Sequence, residues 1–316
     1  MAWFRIALCF LALAVCVPFP ASAEEIRVGT LAGALCLPEG VPVATVVILP
    51  GSGPVTRDGD IPATRMFPGT YRLLAESLAA EGIATVRVDK RGAFGSAAEG
   101  VDPNAVTLDR YAEDARAWIA ATREATGASC VWLLGHSEGG LVALRAAEEA
   151  EGLCGVILAA VPGRRMGVLL REQLQSNPAN APVLEQAFAA IDSLESGKPV
   201  DVGPLHPALH PLFAPVLQHY LMDMMRVEPA RLIAAVRVPI LIVQGTQDIQ
   251  VKLTDAEILH AASPSSTLAI LDKVGHTLKE VPKGERGVMA VYTNADLPIA
   301  RAVVSMVAEY IKQQAR

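Results

Sequence analysis

Short apolar runs rich in β-branched residues recur along the chain and alternate with segments of helical periodicity. Those predicted to be buried strands are Thr45 to Leu49, Ile83 to Val88, Cys130 to Leu134, Val156 to Val161, Ile240 to Val243 and Leu268 to Leu271. Strands that alternate with helices at this spacing form a mostly parallel sheet with helices on both faces. The pattern therefore predicts an α/β fold, and a hydrophobic content of 52% suits a sheet buried on both faces.

The sequence also predicts one amphipathic helix and one hairpin at the edge of the sheet. The segment from Thr107 to Thr126 carries apolar residues at the spacing of one helical face, with Thr107 as N-cap and Asp109 in the first turn. Ile26 to Leu31 and Ala34 to Leu37, separated by a turn at Gly33, are predicted to form an antiparallel hairpin at the edge of the sheet.

The strand pattern is interrupted between Pro162 and Pro239, where repeated prolines separate helix-like pieces. This predicts an inserted helical cap at residues 163–235, with a core made of residues 24–162 and 236–316. Within the cap, Met222, Met224 and Met225 either line an acyl pocket or fill the core.

Two histidines of the same segment have the spacing of metal ligands. His206 and His210 are four residues apart, but Pro207 and Pro211 disrupt the helix that would align them. We expect no metal and no cofactor.

The first residues of the chain have the pattern of a secretory signal peptide. An early arginine is followed by an apolar stretch from Ile6 to about Val17 and by Ala21-Ser22-Ala23, an A-x-A cleavage site. Cleavage after Ala23 is predicted to remove residues 1–23 and leave a periplasmic or secreted protein. The apolar stretch is shorter than the roughly 20 residues of a membrane anchor, so no stable membrane insertion is expected. A lipoprotein signal ending at Cys16 is the other alternative, but Val15 is too large for its motif.

The net charge of the chain indicates which class of binding partner to expect. A formal net charge of −6 argues against a nucleic-acid partner, because no basic surface is available to displace counterions from phosphates. A small molecule is the expected partner, and nothing in the sequence specifies an oligomeric state.

A serine between glycines stands where a predicted strand meets a predicted helix. Gly135-His136-Ser137-Glu138-Gly139 follows the strand from Cys130 to Leu134 and precedes a helix predicted from Leu141 to Ala150. So sharp a turn crowds the backbone two residues before and after the serine, where Gly135 and Gly139 relieve it. This predicts Ser137 as a nucleophile at a helix N-terminus; a capping serine is the alternative, but it needs no flanking glycines.

A serine nucleophile needs a base and an orienting acid, each placed after a later strand. Asp248 follows the strand from Ile240 to Val243, and His276 follows the strand from Leu268 to Leu271. Two other acids are alternatives. Asp255 is assigned to a helix's first turn by Thr254-Asp255-Ala256-Glu257, which has the form of a capping box, and Asp272 is assigned to a strand-end turn.

An oxyanion hole needs backbone N–H groups aimed at the developing negative charge. The loop Leu49-Pro50-Gly51-Ser52-Gly53-Pro54 follows the first central strand, so the N–H groups of Ser52 and Glu138 are predicted to form this site. A tight turn is the alternative for the loop.

Four motifs, ILPGSGP, VDKRGAFGS, GHSEGG and GTQD, together with the final histidine, resemble those of secreted bacterial serine esterases of the α/β-hydrolase superfamily. The resemblance covers essentially the whole mature chain. It implies the α/β-hydrolase fold, with an eight-stranded, mostly parallel sheet and a helical lid, and it implies carboxylic-ester hydrolysis. The chain departs from the commonest oxyanion motif, which has His where Pro50 stands. Asp89-Lys90-Arg91-Gly92 also resembles a motif of these families; a structural Arg–carboxylate tie is predicted, with loop orientation or contact to an acidic substrate as alternatives.

The expected function is hydrolysis of small or medium acyl esters through an acyl-enzyme, with Ser137, His276 and Asp248 as the catalytic triad. An acyltransferase or a peptidase on the same fold is the alternative within the enzymes. A secreted binding module without turnover is the alternative outside them, but it would not need nucleophile, base and acid together.

Three cysteines remain in the predicted mature chain. Cys130 and Cys154 stand at the starts of two strands predicted to be neighbours. Adjacent strands are about 4.8 Å apart, and a disulfide accepts Cα separations of about 4.4 to 6.8 Å. A Cys130–Cys154 bridge is therefore predicted with Cys36 unpaired, and two buried free thiols are the alternative.

Overall fold

A computed structural model of the chain describes residues 23–99, 101–102, 105–284 and 286–315. The predicted signal peptide lies outside the described residues except for Ala23.

The strands of the described residues form one sheet of eight, in the order β1-β2-β4-β3-β5-β6-β7-β8. Strands β1 and β2 form an antiparallel hairpin, β2 pairs antiparallel with β4, and all other neighbours are parallel. This confirms the predicted α/β class. The strands are β1 (Ala23–Val28), β2 (Leu31–Cys36), β3 (Ala44–Leu49), β4 (Ile83–Val88), β5 (Val131–His136), β6 (Leu153–Ala159), β7 (Ile240–Gly245) and β8 (Thr267–Leu271).

Ten α-helices lie within the described ranges. They are α1 (Thr70–Ala80), α2 (Leu108–Thr126), α3 (Glu138–Ala147), α4 (Met166–Ser176), α5 (Leu184–Glu195), α6 (Pro215–Met225), α7 (Pro229–Ala235), α8 (Leu253–Ala262), α9 (Gly287–Thr293) and α10 (Arg301–Gln314). The predicted N-cap of α2 is confirmed, since Thr107 Oγ1 accepts the Arg110 N–H at 3.2 Å. Within the part of the chain that the structure describes, no helix has the length and apolar character needed to cross a membrane.

Successive side chains of the central strands point to opposite faces of the sheet, and helices cover both faces. Val47 and Leu49 of β3 belong to a core shared with α2 and α3. Val46 and Ile48 belong to a core shared with α1 and α10 on the other face. Because the strands from β3 to β8 are parallel, their carboxyl ends meet at one edge of the sheet, where the loops that follow them converge.

The turn of the edge hairpin is not at Gly33, as the sequence predicted. It lies at Gly29-Thr30, and Gly33 is inside β2 opposite Ile26 and Val88. A Cβ on Gly33 would lie 2.9 Å from the Arg87 carbonyl oxygen and 3.0 Å from the Trp118 ring. The glycine is therefore explained by close packing rather than by a turn.

The segment between β6 and β7 is helical and contains α4, α5, α6 and α7. Its helices α5 and α6 share an apolar cluster of their own, which includes Phe213, Ile191 and Met225. The helical content agrees with the predicted cap, while the boundaries at residues 163 and 235 stay a prediction.

A disulfide joins Cys130, which precedes β5, to Cys154 of β6, with the two Cα atoms 5.3 Å apart. β5 and β6 are neighbours in the sheet, as the bridge prediction assumed. Among the cysteines that the structure describes, Cys36 has no disulfide partner, and it is buried. The bridge lies at the amino ends of these strands, opposite the edge where Ser137 follows β5.

Replacing Cys130 and Cys154 together with serine is expected to lower the free energy of unfolding by about 3 kcal/mol, because the bridge closes a loop with a sequence separation of 24 residues. Urea unfolding of the double variant against the oxidised wild type measures this. Removing dithiothreitol from the buffer should stabilise the wild type and leave the double variant unchanged. Equal stability of both proteins under oxidising conditions would contradict the prediction.

Candidate active site

Ser137 occupies a strained turn between β5 and α3, residues 135–139, which we call the elbow. Its φ is 53° and its ψ is −125°, a combination that a residue with a side chain adopts only when the surrounding structure enforces it. The helix begins at Glu138, directly after the serine, and not at the predicted Leu141. The glycines in the first turn of α3 lower its helix propensity. The turn is nevertheless helical because it packs tightly on its neighbours.

Close contacts explain both glycines that flank the serine. A Cβ on Gly135 would lie 2.3 Å from the Gly139 carbonyl oxygen, and a Cβ on Gly139 would lie 2.3 Å from the Leu49 carbonyl oxygen. Gly135 and Gly139 thus permit α3 to approach β5 and β3 closely enough to form the turn.

Asp248 and His276 form a buried hydrogen-bonded pair. Both side chains lie at the carboxyl edge, and His276 Nδ1 is 2.8 Å from Asp248 Oδ2. A carboxylate only accepts, so Nδ1 carries the proton and Nε2 is left as an acceptor. The N–H groups of Gln250 and Val251 also donate to Asp248 Oδ1, at 2.8 and 3.0 Å.

This environment sets the pKa of the Asp248 carboxyl. Burial acts to raise it, but His276 and the two backbone N–H groups act more strongly together, and the net pKa lies below its ordinary value. Asp248 is therefore a carboxylate at neutral pH.

The two alternative acids are bound elsewhere. The Asp272 side chain is 77% exposed and meets Thr246 Oγ1 at 3.2 Å, which fits the predicted turn role. Asp255 lies in the first turn of α8, as predicted, but the capping pattern differs. The N-cap is Lys252 rather than Thr254, and Asp255 rather than Glu257 is the third helical residue, whose carboxylate accepts the Lys252 N–H at 3.1 Å. Arg164 holds this carboxylate from the start of the cap.

The predicted oxyanion donors flank Ser137. Ser52 and Glu138 line one cavity together with the serine. Among the hydrogen bonds between described residues, none uses the backbone N–H of Ser52 or Glu138. Glu138 is the first residue of α3, and the unpaired N–H groups of a helix N-terminus attract negative charge.

Residues Asp89, Lys90 and Arg91 form three separate ion pairs. Arg91 binds Asp114 through two contacts, which is the predicted structural tie, and Asp89 binds Arg57. Lys90 instead reaches the elbow, with Nζ 2.7 Å from Glu138 Oε1. Burial would raise the pKa of Glu138, but Lys90 lowers it below its ordinary value. The Glu138 carboxylate beside Ser137 is therefore ionised, and Lys90 balances its charge. The sequence did not predict this ion pair.

Two cavities open on either side of Ser137, and Ser52 and Gln250 line both. The larger one, of about 340 Å³, lies between the elbow and the cap and is lined mainly by apolar side chains such as Leu141, Leu169 and Leu221. The smaller one, of about 110 Å³, contains His276 in its wall.

The residues of the cap that the sequence singled out have different surroundings. Met224 lines the larger cavity, Met225 belongs to the core of the cap, and Met222 packs against that core. His206 Nδ1 accepts the Ala208 N–H, and His210 Nε2 donates to the Leu205 carbonyl, so both rings bind main-chain groups.

A histidine and a tyrosine beside the elbow were missed by sequence reasoning. His136 precedes Ser137 in the quoted motif and is buried between Tyr71 and His276. Its place at the end of β5 was the available signal, whereas no local pattern marks Tyr71 of α1.

The sequence and the fold are similar to those of known hydrolases. A family model described as serine aminopeptidase, S33, matches residues 68–170. Esterase EstD of Thermotoga maritima is 29% identical over 245 residues, which cover 76% of this chain and 55% of EstD. This chain thus matches little more than half the length of that relative.

Two solved structures illustrate the similarity in fold. An esterase of Pyrococcus furiosus matches with a TM-score of 0.59 and 17% identity over 95% of this chain and 92% of its own. An α/β-hydrolase of Penicillium matches with a TM-score of 0.58 and 18% identity over 94% of this chain and 99% of its own. At these identities the similarity shows the α/β-hydrolase fold.

Proposed function

We propose that this chain, which belongs to the α/β-hydrolase superfamily, is a serine carboxylesterase that works through an acyl-enzyme. The observation that carries the proposal is the shared cavity: Ser137 on its strained turn and His276, which is hydrogen-bonded to Asp248, line one space at the carboxyl edge of the sheet. The similarity to EstD supports ester chemistry.

In this proposal the Ser137 hydroxyl attacks the ester carbonyl while His276 Nε2 takes its proton. Asp248 keeps the proton of His276 on Nδ1 and stabilises the imidazolium that forms. The N–H groups of Ser52 and Glu138 bind the oxyanion of the tetrahedral intermediate. His276 then gives the proton to the departing alcohol, and a water molecule activated by the same histidine releases the acid and frees Ser137.

In this proposal the two halves of the substrate occupy different cavities. The leaving alcohol must take its proton from His276, so it belongs in the 110 Å³ cavity that has His276 in its wall. The acyl chain then enters the apolar cavity of 340 Å³ under the cap. That volume is near the lower end of small-molecule pockets, about 300 to 1,000 Å³, and supports a preference for small or medium acyl groups.

The family match supports an aminopeptidase as the second candidate. Such an enzyme has to bind the ammonium group of its substrate. Among the described residues that line the larger cavity, Glu138 is the one carboxylate, and Lys90 already neutralises it at 2.7 Å. This pairing favours an uncharged acyl group and hence the esterase.

The proposal includes a periplasmic or extracellular location. The Cys130–Cys154 bridge supports it, because disulfides persist in oxidising compartments and are rare in the cytosol. The signal-like pattern of residues 1–23 supports it independently.

The decisive experiment measures kcat/KM on p-nitrophenyl esters of increasing acyl length, with matched anilides, thioesters and aminoacyl anilides. We expect hydrolysis of the esters with an optimum at small or medium chains, and stoichiometric labelling of Ser137 by a fluorophosphonate. Preferred cleavage of aminoacyl anilides would replace the esterase by the peptidase. An inert protein that no probe labels would reject both.

The oxyanion assignment has its own test at Ser52. Ser52→Pro removes the backbone donor and is expected to lower kcat about 100-fold or more, whereas Ser52→Ala keeps the donor and should lower it much less. Steady-state kinetics on one ester and thermal unfolding of both variants measure the difference. Equal losses in the two variants would assign the effect to the hydroxyl or to the loop shape.

A further inference from the structure

Three consecutive buried hydrogen bonds between described residues connect the oxyanion loop, the elbow and the main chain of His276. The Gly51 N–H donates to Tyr71 Oη at 2.8 Å, and Tyr71 Oη lies 2.8 Å from His136 Nδ1. On the other side of the ring, His136 Nε2 lies 2.8 Å from the carbonyl oxygen of His276.

The chemistry of the end groups fixes the direction of every bond. The His276 carbonyl only accepts, so His136 carries its proton on Nε2 and donates it there. His136 Nδ1 is then an acceptor, and it takes the hydroxyl proton of Tyr71. The oxygen of Tyr71 is left to accept the Gly51 N–H, so each partner uses the one role it has available.

Burial keeps this order of protons in place. Tyr71 and His136 are 2% and 7% exposed. Burial lowers the pKa of His136 to about 3, and the neighbouring His276 is the second cause of this shift. The ring is therefore neutral at the pH values at which an esterase works. Burial also raises the pKa of Tyr71, so its hydroxyl keeps its proton.

These hydrogen bonds reach the oxyanion loop, the elbow and His276 through the main chain. Gly51 immediately precedes Ser52, the proposed oxyanion donor, and His136 immediately precedes Ser137. The backbone of Gly51 is held directly on the elbow: a Cβ there would lie 3.3 Å from Ser137 Cβ and 3.4 Å from His136 Nδ1. A shift of the His136 ring would therefore move the oxyanion loop and the His276 carbonyl together.

We infer that Tyr71 and His136 are positioning residues, which fix the Ser52 N–H and the imidazole of His276 relative to Ser137. The inference rests on the proposed function and adds two residues that act through the main chain of Gly51 and His276. Displacements of about 1 Å in such a site cost about 100-fold in rate, so bonds that hold two catalytic parts at once have a large effect on kcat.

Tyr71→Phe tests the oxyanion side, because it removes the hydroxyl and keeps the ring. We expect kcat to fall 10- to 100-fold with KM changed by less than about twofold. The inhibition constant of a trifluoromethyl ketone, which forms an anionic tetrahedral adduct, should rise in parallel with the loss in kcat/KM. Tyr310→Phe is the matched control, since Tyr310 is a buried tyrosine of α10 that packs on Trp132, and its kcat should equal that of the wild type.

Substitutions of His136 separate the two halves of the network. His136→Asn keeps an acceptor near the position of Nδ1 but has no donor for the His276 carbonyl, and His136→Gln keeps a donor near Nε2. Each should retain more activity than His136→Ala. Asn, Gln and Ala variants of equal activity would show that ring volume matters and would overturn the inference, even if Tyr71→Phe failed to fold.

The outcomes also separate this inference from the proposed function. An active wild type with an unchanged kcat in Tyr71→Phe overturns the positioning role and leaves the esterase intact. A folded wild type without hydrolysis and without fluorophosphonate labelling overturns both.

Discussion

Replacing Ser137 with alanine is expected to lower kcat by about a millionfold, to the rate left by binding and the oxyanion hole alone. His276→Ala is expected to cause a loss of similar size, because a serine hydroxyl without a base is a poor nucleophile. The two residues act as one unit, so the double variant should be no slower than either single variant.

The measurement has to exclude loss of the fold and contamination by a host esterase. Thermal unfolding of each variant should be close to that of the wild type, since Ser137 Oγ makes no hydrogen bond to another described residue. Ser196→Ala and His260→Ala, at two positions outside the cavities that flank Ser137, are controls that should keep full activity. A fluorophosphonate adduct on any residue other than Ser137 would reject the nucleophile.

The parts of the fold that the sequence predicted are those whose causes are local. Buried strands such as β7 begin with a continuous apolar run, Ile240-Leu241-Ile242-Val243, and an N-cap such as Thr107 binds a backbone N–H of its own helix. Gly33 shows the limit of local reasoning. A glycine that permits a turn and a glycine that accommodates Trp118 have the same letter, and only the packing of α2 on the sheet separates them.

The same difference between local causes and long-range packing applies to the candidate active site. The order of Ser137, Asp248 and His276 follows from which loops come after which strands, and parallel strands bring those loops to one edge. The pairs Lys90–Glu138, Arg164–Asp255 and Tyr71–His136 join residues far apart in sequence, with no spacing rule between them. Their partners are set by how the helices and the cap pack, which the sequence pattern does not specify.

Asp248→Asn is expected to lower kcat by about 10,000-fold while the fold is kept. The amide of asparagine can donate to Nδ1 of His276, which places the imidazole proton on Nε2, where it blocks transfer from Ser137. The carboxylate also stabilises the imidazolium that forms during attack, and the amide has no charge to do so. KM should change little, because Asp248 is 7% exposed and lies behind the histidine.

The two alternative acids are the matched controls, and each is expected to respond differently. Asp272→Asn changes a side chain that is 77% exposed and should leave kcat and stability unchanged. Asp255→Asn removes a carboxylate that is 0% exposed and bound to Arg164, so we expect the free energy of unfolding to fall by about 1 to 3 kcal/mol with kcat of the folded enzyme largely retained. Because all three changes replace the same group by the same amide, only a difference in location explains a difference in outcome. A 10,000-fold loss at Asp255 or Asp272 with full activity in Asp248→Asn would move the acid of the triad to that residue.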